Sequence, residues 1–162
     1  MKLPARIVIA EADFDVDAEY RAQRERTAGN AGAIAMFTGL VRDRHGDDQV
    51  AVLELEHYPG MTERSIEAIV DDATRRWPLL DVTIIHRVGR MVANDQIVLV
   101  LVAAAHRSAA FAACEFLMDY LKTEAVFWKR EERTGGTHWI ESTHEDHARR
   151  RGWNSPDSSG AL

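Results

Sequence analysis

Apolar and polar residues follow one another along the chain in patterns that predict short strands. The run IVLVLVAAA at 97–105 has no polar alternation, which indicates a strand buried on both faces. At 51–58 apolar and polar side chains alternate, so that strand should be half exposed. The segments with strand patterns are 6–10, 31–41, 51–58, 81–88, 97–105, 126–131 and 138–142.

Three segments predict helices. Residues 61–77 carry apolar side chains at helical spacing, and Pro78 stops the helix there. Residues 16–26 predict a short, highly charged helix. A third helix is expected after the longest apolar strand, with Ser108 as its N-cap and its end near Lys122.

The irregular order of these elements favours an α+β fold with a mixed or antiparallel sheet over a doubly wound parallel sheet. The charged loop at 42–49 is expected to join two strands. A length of 162 residues suits one domain with a real core. We assign residues 1–145 to that domain and predict that 146–162 form a polar, disordered tail.

Composition narrows the class of protein. The net charge of −6 argues against a general nucleic-acid surface. The longest apolar run is far too short to span a membrane, and the N-terminus does not resemble a signal peptide. Cys114 is the only cysteine, which excludes an internal disulfide and a cysteine metal cluster. Together these features favour the cytoplasm.

The sequence predicts neither a cofactor nor a metal. It contains no GxGxxG and no GxxxxGK[ST] motif, so a dinucleotide fold and a P-loop are unsupported. The spacing of His138, His144 and His147 lacks a convincing fourth ligand for zinc.

Basic residues nevertheless cluster locally on this acidic chain, which indicates a small anionic ligand. Any one cluster taken alone is better explained by solvated charges that pair with nearby acids. The clusters are Arg42-Asp43-Arg44-His45, His86-Arg87, His106-Arg107 and Lys129-Arg130.

The segment at 106–131, HRSAAFAACEFLMDYLKTEAVFWKRE, carries the candidate chemistry. At about 100° per residue, Phe111, Met118 and Lys122 share one direction on the helix. Lys122 therefore falls at the rim of an apolar stripe, where its ammonium can emerge at an edge. The alternative is an ordinary core helix in which Lys122 pairs with Asp119.

His106 and Arg107 precede the start of that helix. Exposed N–H groups at a helix N-terminus and a guanidinium suit an oxyanion or a phosphate. We interpret these two residues, together with Lys122 and Lys129, as one anion-binding, lysine-based active site.

Five segments in this order and spacing resemble the MoaE family, the large catalytic subunit of molybdopterin synthase. The resemblance runs from about residue 7 to about residue 141. The segments are GAIAMFTGLVRD (32–43), LELEHYPGMTE (53–63), IIHRVGR (84–90), AHRSAAF (105–111) and MDYLKTEAVFWKRE (118–131), followed by Trp139.

This resemblance implies an α/β hammerhead-type fold and a homodimer. Each catalytic subunit would bind a small ubiquitin-like sulfur carrier, which gives a heterotetramer. The carrier's C-terminal Gly-Gly tail, activated as a thiocarboxylate, would enter a pocket of the catalytic subunit. Two sulfurs would pass to cyclic pyranopterin monophosphate and form the dithiolene of molybdopterin.

The resemblance also implies the site residues. The family's two active-site lysines fall on Lys122 and Lys129. Its substrate-binding residues fall on Leu40, Val41, Arg42, His106, Arg107, Lys122, Lys129, Arg130 and Glu131.

Three positions depart from the family pattern. Leu40 replaces a common lysine, which removes one cation near the phosphate. Val126 replaces a common proline before Phe-Trp, so the approach to Lys129 is less rigid. Thr143 and His144 occupy the place of an arginine that is sometimes offered to the neighbouring subunit.

A mechanism follows for these residues. Arg42, His106 and Arg107 suit the phosphate. Repulsion between two lysines in one cleft favours a neutral lysine as general base and a charged one as acid or stabiliser. In our hypothesis Lys122 serves the carrier's thiocarboxylate and Lys129 the pterin, although the reverse assignment is equally open.

The carrier tail needs an extended groove, and its backbone could add to a sheet edge. Phe37, Met118 and Phe127 are candidates for the apolar lining, and plain core packing is the alternative for each of them. His57, His86 and Arg87 could lie near the site or be ordinary residues at strand ends.

Two other functions remain open. A non-catalytic dimeric scaffold that binds a phosphorylated small molecule or a ubiquitin-like tail would need charge at Lys122 and Lys129, but no titrating lysine. A phosphate-ester hydrolase is weakened by the absence of a recognisable nucleophile triad or carboxylate metal site.

Overall fold

The strands lie in two sheets within residues 3–45, 48–125, 127–133, 136–140 and 144–154, which are the residues that the computed structural model describes. In chain order the elements are β1 (Ala5–Ala10), α1 (Val16–Arg26), β2 (Ala33–Leu40), β3 (Arg44–His45), β4 (Asp48–His57), α2 (Met61–Arg76), β5 (Leu79–Arg87), β6 (Gly89–Met91), β7 (Gln96–Ala104), α3 (Arg107–Leu121), β8 (Phe127–Arg133), β9 (Gly136–Ile140) and α4 (His144–Gly152).

The first sheet has the strand order β1-β5-β7-β2. Strand β1 runs parallel to β5, whereas β5 and β2 both run antiparallel to β7. The central strand β7 is buried from Val98 to Ala104, as its unbroken apolar run predicts. The predicted α+β fold with a mixed sheet is confirmed.

The second sheet has the strand order β3-β4-β8-β9, with β6 paired to β4. The segment at 42–49, which was predicted as a loop between two strands, itself contains β3 and the start of β4, and Arg44 pairs with Gln49 in an antiparallel ladder. Strand β4 pairs with β8 so that Leu55 lies opposite Lys129 and His57 lies opposite Phe127. This register carries the second candidate lysine to the junction of the two sheets.

Helices α2 and α3 cover the first sheet and close the main core. Ile66 and Ala73 of α2 and Phe116 and Leu117 of α3 are fully buried in one apolar cluster. Burying a side chain of this size contributes roughly 1.5–3 kcal/mol. The helical spacing of apolar residues in α2 is what creates its buried face.

The start of α3 differs from the predicted start. The N-cap is His106, without a side-chain capping bond, and Ser108 lies inside the helix. The Gly32 N–H donates to the Ala104 carbonyl at 3.0 Å, which fixes the end of β7. Only Ala105 and His106 are left for the turn, so the helix begins one residue before Ser108.

Residues 146–154 are not a disordered tail, and that prediction is wrong for them. Helix α4 and Trp153 lie against the main core. The Trp153 ring meets the Trp77 and Phe116 rings edge-on, with 5.5 Å between centroids in each pair. A single partly buried aromatic ring offsets the low hydrophobicity of this segment. Residues 155–162 lie outside the described part of the chain.

No helix within the described ranges has the length and apolar character needed to cross a membrane.

Candidate functional site

Strand β8 places Lys129 beside a buried histidine of the first sheet. The Phe127 ring stacks on the His86 ring, with 4.0 Å between centroids and 23° between planes. Phe127 and Lys129 are two residues apart on one strand and therefore share a face. The positive charge of Lys129 is close enough to lower the pKa of His86.

His86 is neutral at neutral pH. Burial lowers its pKa from 6.5 to about 4, and the charges of Lys129 and His57 add to that effect. The hydrogen bond of Nδ1 to the Arg87 carbonyl, 2.8 Å long, opposes the shift. A carbonyl only accepts, so Nδ1 carries the proton and Nε2 is left with its lone pair.

The segment Leu40-Val41-Arg42 lies at the same end of the first sheet as His86. Val98 of β7 pairs with Gly39 on one side and with His86 on the other. A bulge follows Gly39, after which Leu40 is 48% exposed and Arg42 is exposed.

Val41 itself anchors this strand end and does not present its side chain. That side chain is buried in a cluster with Leu55 and Val88. The Val41 N–H donates to the Asp95 carbonyl at 2.9 Å, and its carbonyl accepts the Asn94 N–H at 2.8 Å. Of the three predicted contact residues here, Leu40 and Arg42 are the ones that face outward.

Helix α3 brings Lys122 back to this end of the sheet. The helix begins where β7 ends and packs on β7 and β2, so it must run antiparallel to β7. Its last residue, Leu121, belongs to the same buried cluster as Val98, and Phe127 packs against that cluster. Lys122 follows Leu121 directly and is exposed.

His106 and Arg107 lie at the opposite end of the first sheet. They border an open cleft of about 520 Å³, which is lined by Gly32, Ala105, His106, Arg107 and Ser108. At about 1.5 Å per residue, the length of α3 separates Arg107 from Lys122 by roughly 22 Å. Within the described part of one chain, His106 and Arg107 therefore lie far from Lys122 along α3.

The acidic residues around Lys122 have partners on the C-terminal segment. Asp119 Oδ2 accepts the indole N–H of Trp153 at 2.7 Å. Arg150 Nη1 lies 2.9 Å from Glu124 Oε1. The alternative in which Lys122 pairs with Asp119 stays a prediction, because a carboxylate can accept the indole N–H and still pair with an ammonium.

The two remaining predicted contact residues lie on β8. The backbone of Arg130 pairs with Glu54 and that of Glu131 with Leu53. Their side chains lie outside the described part of the structure.

Cys114 and Phe111 report on the orientation of α3. Cys114 is buried, and burial, with the nearby Glu115 charge, raises the pKa of its thiol to about 11. Phe111 is 66% exposed, so the buried face of the helix is centred on Phe116 and Leu117 and not on the line through Phe111.

No group of three or more His, Cys, Asp or Glu side chains among the described residues could hold a metal ion.

The C-terminal contacts with Asp119 and Glu124 were missed in the sequence analysis. The available signal was Trp153, a single large aromatic residue in an otherwise polar segment. A tryptophan at such a position more often packs against a core than faces water.

Comparison with known proteins identifies the family. The model of the MoaE family, described as MoaE protein, matches residues 9–124. A molybdopterin synthase catalytic subunit of Vibrio cholerae is 52% identical over 148 residues, which cover 91% of this chain and 97% of that protein. The chain belongs to the MoaE family. The predicted family is thereby confirmed.

Solved MoaE structures have the same fold. A molybdopterin biosynthesis MoaE protein from Burkholderia ambifaria superposes with a TM-score of 0.80 at 51% identity, covering 93% of this chain and 99% of that one. Molybdopterin synthase from Staphylococcus aureus superposes with a TM-score of 0.73 at 30% identity, covering 83% and 95%. The MoaE fold thus extends over most of the chain.

Proposed function

We propose that this chain is the catalytic subunit of a molybdopterin synthase that works in the cytoplasm. It transfers sulfur from the C-terminal thiocarboxylate of a small ubiquitin-like carrier to cyclic pyranopterin monophosphate, and so makes the dithiolene of molybdopterin. The predicted function and enzyme class agree with the names of its relatives. The observation that carries the proposal is the approach of Lys122, Lys129 and Arg42 to one end of the first sheet.

The carrier is proposed as the protein partner because relatives are named as the catalytic subunit of a larger enzyme. Strand β2 is the last strand in the order of the first sheet, so its outer edge can accept an extended peptide. Phe37 on this strand is 39% exposed and Met36 is also exposed. Adjacent strand residues point to opposite faces, so Phe37 alone is assigned to the apolar lining of a groove that leads toward Leu40 and the lysines.

The other two candidate lining residues have structural roles. Met118 and Phe127 are only partly buried, and both pack against the main core. Phe127 also stacks on His86 and so holds β8 against the first sheet. We assign Phe127 to the wall of the groove near Lys129. Met118 is assigned to core packing and not to the groove.

The phosphate of the pterin is assigned to guanidinium groups. Arg42 is exposed at the lysine end and offers charge-assisted, bidentate hydrogen bonds. His106 and Arg107 lie too far along α3 to reach the same substrate in the same chain. In a homodimer, the second copy can supply them, which gives an enzyme of two catalytic and two carrier subunits.

The lysines carry the chemistry of the transfer. The carrier's thiocarboxylate sulfur forms a bond to a substrate carbon, and an oxygen group leaves that carbon with a proton from Lys129. Water then cleaves the bond between the carrier's acyl carbon and sulfur, so that the carrier leaves as a carboxylate. Lys122 stabilises the negative charge of the thiocarboxylate and of the departing carboxylate.

Alanine and arginine at the two lysines test this proposal. Purified protein is mixed with thiocarboxylated carrier and cyclic pyranopterin monophosphate, and the dithiolene product is measured by mass. Lys122→Ala and Lys129→Ala should each slow product formation by about 10²–10⁴-fold, the usual contribution of a positioned acid or base. Arg75→Ala, an exposed change on α2, is the control and should leave the rate unchanged.

The arginine variants separate the enzyme from the scaffold. Lys122→Arg and Lys129→Arg keep the positive charge, so both should still bind the carrier while product formation falls. Wild-type rates in either alanine variant would contradict the two-lysine mechanism.

A further inference from the structure

The C-terminal segment at 144–154 contacts the part of α3 that carries Lys122. Asp119, three residues before this lysine, accepts the Trp153 indole N–H at 2.7 Å. Glu124, two residues after it, pairs with Arg150 at 2.9 Å. The two acidic residues nearest to Lys122 in the sequence are therefore both bound by this segment.

Contacts with residues other than Asp119 also hold Trp153 in place. Its ring packs edge-on against both the Trp77 and Phe116 rings, and Arg76 donates hydrogen bonds to the Trp153 carbonyl and to Asn154 Oδ1. Asn154 Oδ1 also accepts the Tyr120 hydroxyl at 3.4 Å. The contact with Asp119 thus comes from an anchored indole, and an anchored donor loses less entropy than a mobile surface side chain.

We propose that residues 144–154 act as a brace that positions Lys122 for sulfur transfer. The brace turns the Asp119 and Glu124 carboxylates toward Trp153 and Arg150. This inference rests on the proposed function, which assigns the carrier's thiocarboxylate to Lys122. Trp153 and Arg150 are positioning residues, because they act through the two carboxylates.

Competition between anions is the physical reason. A carboxylate three residues before a lysine on a helix lies within reach of its ammonium. The carrier's thiocarboxylate needs the same ammonium, so a released Asp119 or Glu124 would compete with it. Besides these two, the charged groups that the described residues place on this side of α3 include Arg150, Arg76 over the Phe116 ring and, two turns earlier, the pair Glu115 and Arg149 at 3.9 Å.

The turn after α3 is short and has little freedom of its own. The Glu124 N–H donates to the Tyr120 carbonyl at 2.7 Å, and the Thr123 hydroxyl donates to the Asp119 carbonyl at 3.1 Å. The Lys122 N–H donates to the Met118 carbonyl at 3.1 Å. The brace acts on a backbone that is already fixed, so its main effect falls on the two carboxylate side chains.

Trp153→Phe removes the indole N–H and keeps an aromatic ring in the core. With thiocarboxylated carrier and cyclic pyranopterin monophosphate as substrates, we expect kcat to fall about tenfold, the effect of one hydrogen bond to a charged group. Adding Asp119→Asn removes the released charge and should return kcat to within about twofold of wild type. Asp119→Asn alone keeps an acceptor for Trp153 and should act like wild type.

Arg150→Gln provides a second and independent arm of the test, whose outcome stands even if Trp153→Phe folds poorly. It should also lower kcat, and Glu124→Gln in the same chain should restore it. The matched control is Arg149→Ala, which removes the same charge from the same helix but pairs with Glu115, seven residues before Lys122. Its kcat should equal that of wild type.

The rescue separates a positioning role from a structural one. A brace that only stabilises the fold would lose stability in each variant, and a second change at Asp119 or Glu124 would not restore the rate. That result, or wild-type rates in both Trp153→Phe and Arg150→Gln, would overturn the inference. A wild-type protein that makes no product would overturn the proposed function, and the brace would fall with it.

Discussion

At the scale of single residues, Lys129 lies beside a histidine that the fold keeps uncharged. His86 is buried under the Phe127 ring, and its pKa of about 4 leaves it neutral at neutral pH. A second cation at this position would repel the Lys129 ammonium. The neutral ring thus supports Lys129 by adding no charge of its own.

The low pKa of His86 makes stability depend on pH. The unfolded chain takes up a proton at His86 near pH 6.5, whereas the folded chain takes it up near pH 4. Stability is therefore complete above pH 6.5, is lost as the pH falls toward 4, and falls no further below that. Between pH 7 and pH 5, the loss from this residue should be about 2 kcal/mol.

Urea unfolding at pH 7 and pH 5 measures this effect. His86→Gln cannot titrate, so its free energy of unfolding should change by about 2 kcal/mol less than that of wild type over this range. His106→Gln, at an exposed histidine, is the control and should follow wild type. Equal pH dependence in all three proteins would contradict a buried, neutral His86.

The sequence predicts which residues belong to the candidate site better than it predicts which side chains contact them. Lys122 and Lys129 lie in short sequence motifs, and these motifs alone mark them as candidate site residues. The contact of Phe127 with His86 depends on the register of β8 against β4 and on the junction of two sheets. Neighbouring residues in the sequence do not indicate that register. The sequence therefore leaves open whether His86 lies near the site or is an ordinary residue at a strand end.

At the scale of elements, the close approach between β2 and the turn before α3 places His106 and Arg107. A Cβ atom built on Gly32 would lie 2.2 Å from the Ala105 carbonyl oxygen. Only glycine therefore lets the two backbones approach at this point. The turn that carries the basic pair depends on that contact.

Gly32→Ala should disturb this turn. Because the obstacle is backbone, the strand or the turn must move, at a cost of about 1–3 kcal/mol in the free energy of unfolding. Gly152→Ala, which meets nothing within 4 Å, is the control and should not destabilise the protein. A Gly32→Ala protein as stable as wild type in urea unfolding would show that the contact is not tight.

Helix and strand boundaries followed from the sequence where an apolar pattern was strong. The short helix at 16–26 and the helix from 61 were predicted with the starts that the structure shows. The C-terminal helix α4 was missed because its stability comes from tertiary contacts of Trp153 and not from its own pattern. The start of α3 was missed because Gly32 fixes the preceding strand.

At the scale of the whole molecule, α3 separates two groups of candidate site residues. Lys122, Lys129 and Arg42 approach one end of the first sheet, whereas His106 and Arg107 lie about 22 Å away along the helix. The sequence predicts one site from all of these residues, since a motif does not show at which end of a helix its side chains lie. In the homodimer that we propose, the second copy would supply His106 and Arg107 to the lysine end.

Mixing two inactive variants tests whether two copies share a site. Lys122→Ala and Arg107→Ala proteins should each be slow alone. When the two are unfolded and refolded together, each mixed dimer contains one intact site, with Lys122 from one copy and Arg107 from the other. Product formation should then return in part.

The control is the double variant Lys122→Ala/Arg107→Ala refolded with the wild type. Its mixed dimers contain no complete shared site, so activity should come only from wild-type dimers. No recovery in the mixture of single variants, despite mixed dimers shown by native mass spectrometry, would contradict the shared site.

The fate of the carrier's sulfur shows directly whether this protein transfers it. Wild-type protein is incubated with thiocarboxylated carrier and cyclic pyranopterin monophosphate, and the intact masses of the carrier and the pterin are followed in one reaction. The account predicts that two carriers change from thiocarboxylate to carboxylate for each dithiolene formed. A carrier that binds the protein but keeps its sulfur would contradict sulfur transfer and would leave a scaffold as the function.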